Sequence, residues 1–345
     1  MNYFNDIDNE LEIPTRQAFS QAREKISYLA FKNLFDKSCE LALESDGART
    51  YKGFRLFAID GTSFIVGSLH KLREYFGDST TVAGQAMCRI SGVVDVLSEC
   101  IANVSVSPFS TGERALAIEQ VRALKTISNA LFLFDRGYWS PQLVSDVIAN
   151  GQKFVMRLAV NAGKTAIKDE DGGSVALRRY SFALPGGAVE TLLTNLSEDE
   201  MSDEELASLY AKRWGVETKY LELKERLQIN RFSGESVNTV LQDIYSTLYI
   251  SNLTAFICLE ADKIIKTKTA DKDNKYQQKA NRSICIAALR DRFVRICVCD
   301  PDKSDSALQK LYKDISKEVS YINKSKPRPR LLNKFKSSKN KKSYL

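Results

Sequence analysis

Six residues, Ala130–Asp135 (ALFLFD), constrain the fold of this chain more than any others. An unbroken apolar run this short reads as a strand covered on both faces, the pattern of parallel pairing inside an α/β sheet. Polarity switches at Asp135, so a carboxylate stands at the strand's C-terminal end, where open α/β sheets tend to carry their working groups. Upstream, FRLFAID is expected to be a strand ending in Asp60, with GTSFIVG turning the chain away from it. RISGVVDVLSE and CIANVSVSP follow as an antiparallel meander, and Ser110–Thr126 opens on a serine as an amphipathic helix. Beyond ALFLFD, Pro141–Ala149 is expected to be a helix and KFVMRLAV a further strand.

A second constraint is the run from Asp203 to Ile229, made of strong helix formers and interrupted only by Gly215. It is read as one long helix, with Ser202 and Glu205 as a capping box. With Tyr210 at zero on the helical wheel, Arg213 falls at about −60°, Glu217 at about −20° and Lys224 at about −40°. Leu206, Trp214 and Leu221 lie in or beside the same arc, so this face is half-buried. A carboxylate there needs cations or a metal ion to compensate it. Alone, the pattern also suits an ordinary charged helix with an Arg213–Glu217 pair worth a few tenths of a kcal/mol.

The remaining segments are read more coarsely. Thr15–Ser45 forms two short helices, suited to DNA contact or to a plain hairpin. Asn161–Asn195 is glycine-interrupted and β-rich, Val237–Lys266 a long central helix, Thr267–Arg282 a linker or loop and Ser283–Val298 a last helix or buried segment. The expected units are an N-terminal helical segment (1–50), a catalytic core (51–160 and 203–300), a β-rich insertion (161–202), and a basic C-terminal region (301–345).

Composition removes several classes. No apolar run approaches the roughly 18 residues of a membrane span, and the N-terminus lacks the basic-then-apolar order of a signal peptide, so a cytoplasmic location is expected. Seven cysteines form no CxxC pair and His70 is the single histidine, which argues against a zinc site, a disulfide framework or a histidine-based nucleophilic mechanism. The net charge of +7 is concentrated at one end: Asn323–Leu345 holds nine Lys or Arg and no acid, leaving the rest of the chain at −2. Such a tail is either solvated disorder or an arm for phosphates.

Asp60, Asp135 and Glu217 come from three separate elements, and three such carboxylates can converge on two divalent ions about 4 Å apart. An all-oxygen site suits Mg²⁺ or Mn²⁺. Arg213 and Lys224 would then face phosphates, and Tyr210 a phosphate oxygen or a neighbouring acid. Two of these carboxylates could equally serve a glycosidase as acid and base. That reading leaves the basic tail and the cationic glutamate face without a role.

The spacing Tyr210, Arg213, Glu217, Lys224, with Asp60-Gly61-Thr62 and Asp135-Arg136-Gly137-Tyr138 upstream, resembles bacterial insertion-sequence transposases of the DDE superfamily, in the family numbered four with the Tyr-Arg-Glu-Lys signature. The similarity runs from about Arg16 to the tail. It implies a ribonuclease H-like core, a mixed sheet flanked by helices, with a β-rich insertion before the last catalytic helix. It also implies Asp60, Asp135 and Glu217 as catalytic metal ligands for two ions, with Tyr210, Arg213, Lys224 and Arg136 as groups for DNA phosphates. Trp214 is similar in position to a tryptophan that receives a flipped base, although core packing would equally explain it. The implied activity is cut-and-paste transposition by a homodimer bridging terminal inverted repeats and a target DNA, with the protein nucleoid-associated when bound. A silent or truncated DNA-binding descendant is the alternative, because only about fifty residues precede the first strand where relatives usually carry a longer helical domain.

Overall fold

The computed structural model describes residues 15–44, 49–159, 175–184, 187–272, 274, 276–298 and 300–322. The basic tail Asn323–Leu345, the first fourteen residues and 160–174 of the β-rich segment lie outside that range.

The chain opens with α1 (Arg16–Glu24), capped by the Thr15 hydroxyl, and α2 (Tyr28–Glu44). Three strands follow, β1 (Arg55–Gly67), β2 (Ala86–Asp95) and β3 (Cys100–Pro108), with α3 (His70–Phe76) between the first two. α4 (Glu113–Ala123), β4 (Ala130–Phe134), α5 (Pro141–Ala149) and β5 (Lys153–Arg157) complete the alternating part. β6 (Arg178–Ala183) and β7 (Val189–Thr194) form a hairpin. Then come α6 (Asp203–Ala211), α7 (Trp214–Leu221), α8 (Val237–Thr269), β8 (Gln277–Ala280), α9 (Arg282–Val298), α10 (Pro301–Ile315) and β9 (Val319–Ile322).

Seven strands form one sheet in the order β3-β2-β1-β4-β5-β7-β6. β1, β2 and β3 are an antiparallel meander, while β4 and β5 run parallel to β1. β7 returns antiparallel to β5 and carries β6 at the edge, so the described strands of the β-rich segment extend the central sheet. Meander, parallel pair and flanking helices make this a ribonuclease H-like core.

ALFLF is apolar throughout because both of its faces are covered. Leu131 and Leu133 pack into a core with α2, α6, α7 and α8, whereas Ala130, Phe132 and Phe134 pack with α4 and α5. Each buried phenylalanine contributes about 2–3 kcal/mol of transfer free energy. A third core joins the distal half of α8 to α9 and α10 through Ile257, Ile265, Leu289 and Leu311.

Four sequence expectations are corrected. β1 does not end at Asp60; it continues to Gly67 because Gly61–Ile65 stay paired with β2. The helix at Ser110–Thr126 starts later, on Gly112 as N-cap. The supposed single helix Asp203–Ile229 breaks at Lys212–Arg213 into α6 and α7, and then widens into a π-turn at Glu222–Arg226. Thr267–Arg282 is no plain linker, since its β8 pairs with β9.

Candidate active site

The parallel ladder aligns the site. Ala58 stands beside Leu133, and Leu133 beside Val155. Continuing that register two residues places Asp60, Asp135 and Arg157 in one row across three strands, neighbours being about 4.8 Å apart along the hydrogen-bonding direction. Side chains alternate along a strand, and Ala58, Leu133 and Val155 all belong to the core shared with α6 and α7. The three polar residues two positions later therefore project to that same side. Asp135 keeps an extended backbone (φ −79°, ψ 167°) before the chain turns through Arg136–Tyr138.

α6 and α7 bring the remaining groups to this edge. A complete capping box at Ser202 and Glu205 fixes the start of α6. The Tyr210 hydroxyl donates to Asp135 Oδ1 at 3.4 Å. Arg213 Nη2 donates to Glu217 Oε1 at 2.7 Å, and its guanidinium lies 5.8 Å from the Tyr210 ring centre. Three residues beyond Glu217, the Tyr220 hydroxyl donates to the carbonyl of Asp60 at 2.6 Å. Asp60 pairs with Gly92 across β1 and β2, and a Cβ at Gly92 would stand 3.0 Å from that hydroxyl. Glycine at 92 thus lets α7 lock directly onto the strand carrying Asp60.

Electrostatics are uneven within this edge. Burial pushes the Asp60 carboxyl up to about 6; the Gly61 N–H and Arg213 oppose the rise, while Glu113 and Glu217 add to it. Burial also raises the Tyr210 hydroxyl, opposed by Arg213 and reinforced by Asp135. Arg213, only 9% exposed, is the cation these acids share: burial disfavours its charge, yet Tyr210, the Glu217 bond and Asp135 hold it protonated.

The other expected site residues are less converged. Trp214 is 51% exposed at the start of α7, so it is not a core residue. Arg136 is exposed beside Asp135. Lys224 is half-buried in the π-turn and makes no hydrogen bond or ion pair among the described residues. No three His, Cys, Asp or Glu side chains among the described residues stand close enough to hold an ion as folded. The donor chemistry nonetheless fits a hard divalent cation: the groups are carboxylates, and Asp60 is short of positive charge.

Arg157 and Tyr220 escaped the sequence reading. Arg157 pairs with the buried Glu190 at 3.2 Å, and its signal was the one that exposed Asp135, a polar residue ending an apolar parallel strand. Tyr220 carried no such signal, because its partner is a backbone carbonyl 160 positions away.

The 3-2-1-4-5 sheet with paired aspartates at its parallel edge defines a ribonuclease H-like protein with an acidic site. A model described as the transposase DDE domain matches residues 51–253. The chain belongs to that family. It is 26% identical over 153 residues to a putative transposase, InsZ, of Escherichia coli K12, covering 42% of this chain and 49% of the relative. It is 22% identical over 277 residues to transposase InsG for insertion sequence element IS4 of the same organism, covering 72% of this chain and 62% of that protein. The chain thus spans about half to three-fifths of the length of these curated relatives. A cryo-EM structure of a piggyBac transposase synaptic complex with hairpin DNA covers 90% of this chain and 67% of its own, at 14% identity and a TM-score of 0.46. No helix among the described residues is long and apolar enough to cross a membrane.

Proposed function

We propose that this chain is the catalytic protein of an insertion sequence, hydrolysing and rejoining phosphodiester bonds at the element's ends. The observation that carries the reading is the in-register placement of Asp60 and Asp135, with Glu217 delivered by a helix pinned to Asp60 through Tyr220. Asp60, Asp135 and Glu217 would hold Mg²⁺ or Mn²⁺. Two such ions would activate the attacking oxygen and neutralise the leaving one.

The protein's own groups then have distinct tasks. Glu217 leaves Arg213 to serve as a ligand, and the released guanidinium takes a phosphate oxygen in its fork. Tyr210 orients Asp135. Arg136 and Lys224 contact flanking phosphates, Trp214 receives a displaced base by stacking, and the basic tail binds duplex regardless of sequence. Residues 51–160 and 203–300 are assigned to the catalytic core, 161–202 to the insertion before the last catalytic helix, and 1–50 and 301–345 to DNA contact. Cut-and-paste transposition would pair two copies of the chain across two inverted-repeat ends and a target, on the nucleoid. A silent DNA-binding descendant is the second reading, favoured by the bond that ties Glu217 to Arg213.

The test is cleavage of a duplex carrying the ends that flank this reading frame, with Mg²⁺ or Mn²⁺, by wild type and Asp135→Ala. Metal-dependent nicking lost in the variant is the expected result. Binding without nicking by the wild type would favour the silent descendant.

A further inference from the structure

Two groups that the three-acid reading does not use face the same edge from the other side of the sheet. Glu113 is the first residue of α4, and its carboxyl carbon and Oε1 lie 3.0 Å from where a Cβ on Gly61 would stand. A side chain at 61 would push the Glu113 carboxyl back by a few tenths of an ångström, so glycine after Asp60 allows this close approach. Glu113 makes no hydrogen bond among the described residues, and its single ion pair, to Arg89 Nε, is long at 3.7 Å. A carboxylate packed against the residue after Asp60 while only loosely paired leaves oxygen capacity for a cation.

The second group is Tyr138, which follows Asp135 by one turn. Its side chain is 2% exposed, and its hydroxyl has no hydrogen-bond partner among the described residues. Buried hydroxyls are nearly always satisfied, so an orphan one points to a partner that joins later. Its ring packs 6.0 Å from that of Phe134 in the core that β1 and β4 share with α4, and its amide donates to the Asp135 carbonyl at 3.0 Å, so it lies on the face of the sheet covered by the helix that Glu113 opens. A phenolic hydroxyl can both donate and accept.

We propose that Glu113 and Tyr138 complete the acidic site, Glu113 joining Asp60 as an oxygen ligand for a hydrated divalent cation and the Tyr138 hydroxyl holding one of that ion's waters. The inference rests on the metal-dependent reading above and deepens it from three acids to four. Water in the cation's shell spans the separation that keeps the carboxylates from forming a closed cage as folded. Glu113 is a candidate ligand; Tyr138 acts through water and is a positioning residue, of the kind whose loss typically costs about 10–100-fold in metal affinity.

The test is Mn²⁺ binding to the full chain without DNA, followed by titration calorimetry and by the electron paramagnetic signal of free Mn²⁺. Wild type, Glu113→Gln, Glu113→Asp and Tyr138→Phe are compared, with circular dichroism to verify folding. Glu113 is 44% exposed at its side chain and Tyr138→Phe removes one atom, so all are expected to fold. Affinity should fall about tenfold or more in Glu113→Gln and in Tyr138→Phe, with partial recovery in Glu113→Asp. Wild-type affinity in Glu113→Gln and Tyr138→Phe would overturn the proposal while leaving the three-acid site intact. Absence of Mn²⁺ binding by the wild type would overturn both.

Discussion

Helix α7 carries Glu217 toward the acidic edge and, two residues later, Lys219 into a buried cluster on its other side. There Lys219 Nζ donates to Glu222 Oε1 at 3.1 Å and to Ser251 at 3.3 Å, while Arg282 bonds both Glu222 oxygens and pairs with Glu99 at 3.1 Å. Every charge in that cluster has an opposite within reach. Burial would raise the Glu222 carboxyl, but Lys219 and Arg282 hold it down at about 2, whereas Asp60, at the open edge, is pushed up to about 6. Both regions concentrate acids near α7; one is neutralised by the fold and the other left short of positive charge. A matched cluster ties α7 to α8 and α9. An unmatched one is where the proposed cation would supply the missing charge.

The contrast can be broken by substitution. Glu222→Gln should cost about 3–5 kcal/mol of stability in urea unfolding, because it leaves the buried Lys219 without its acid and Arg282 with Glu99 alone. A loss below about 1 kcal/mol would mean that the cluster is not held by charge pairing. Asp60→Asn should go the other way, raising stability at pH 7 by on the order of 1 kcal/mol after allowance for partial solvent access. A destabilised variant would contradict the account of Asp60.

The two regions also respond oppositely to pH. Asp60 has a folded pKa above its ordinary value, so its contribution is full below about 3.8 and is lost as pH rises through about 6. Glu222 has a folded pKa below its ordinary value, so its contribution is present above about 4.5 and is lost as pH falls toward about 2. Comparing unfolding at pH 5 and pH 7, wild type should gain more on acidification than Asp60→Asn does. Equal gains would remove Asp60 as the cause.

Smaller effects sharpen the picture. Arg213→Lys should slow cleavage about tenfold, or about 1.4 kcal/mol, since a point charge cannot reproduce a bidentate fork. Wild-type cleavage would dismiss the phosphate role. Tyr220→Phe should cost about 1 kcal/mol of stability by leaving the Asp60 carbonyl without its hydroxyl partner. No change would show that α7 docks by packing alone.

Much of this was legible in the sequence wherever a local pattern had one structural meaning. ALFLFD, short and apolar throughout, read as a strand with two covered faces, and its register carried Asp135 to the row of Asp60. Pro141–Ala149 matches α5 because proline at the first turn fixes its start. The run around Glu217 was misjudged because helix propensity is silent about a break; Lys212–Arg213 bends so that Tyr210 meets Asp135 while Tyr220 meets Asp60, two tertiary contacts that override local preference. Glu113 was invisible for a related reason: nothing near it in sequence says that α4 lays its first residue against Gly61, whereas Tyr138 was legible only as the end of the Asp135–Tyr138 motif.

The central claim is that the unmatched edge, unlike the matched cluster beside it, does metal-dependent chemistry on DNA. The most direct measurement is binding and nicking of an end-bearing duplex by Glu217→Gln, with Mg²⁺, against wild type. The account predicts a folded variant that binds DNA within about threefold of wild type, a difference under 1 kcal/mol, and does not nick it. Nicking at the wild-type rate, or a parallel loss of binding, would contradict it.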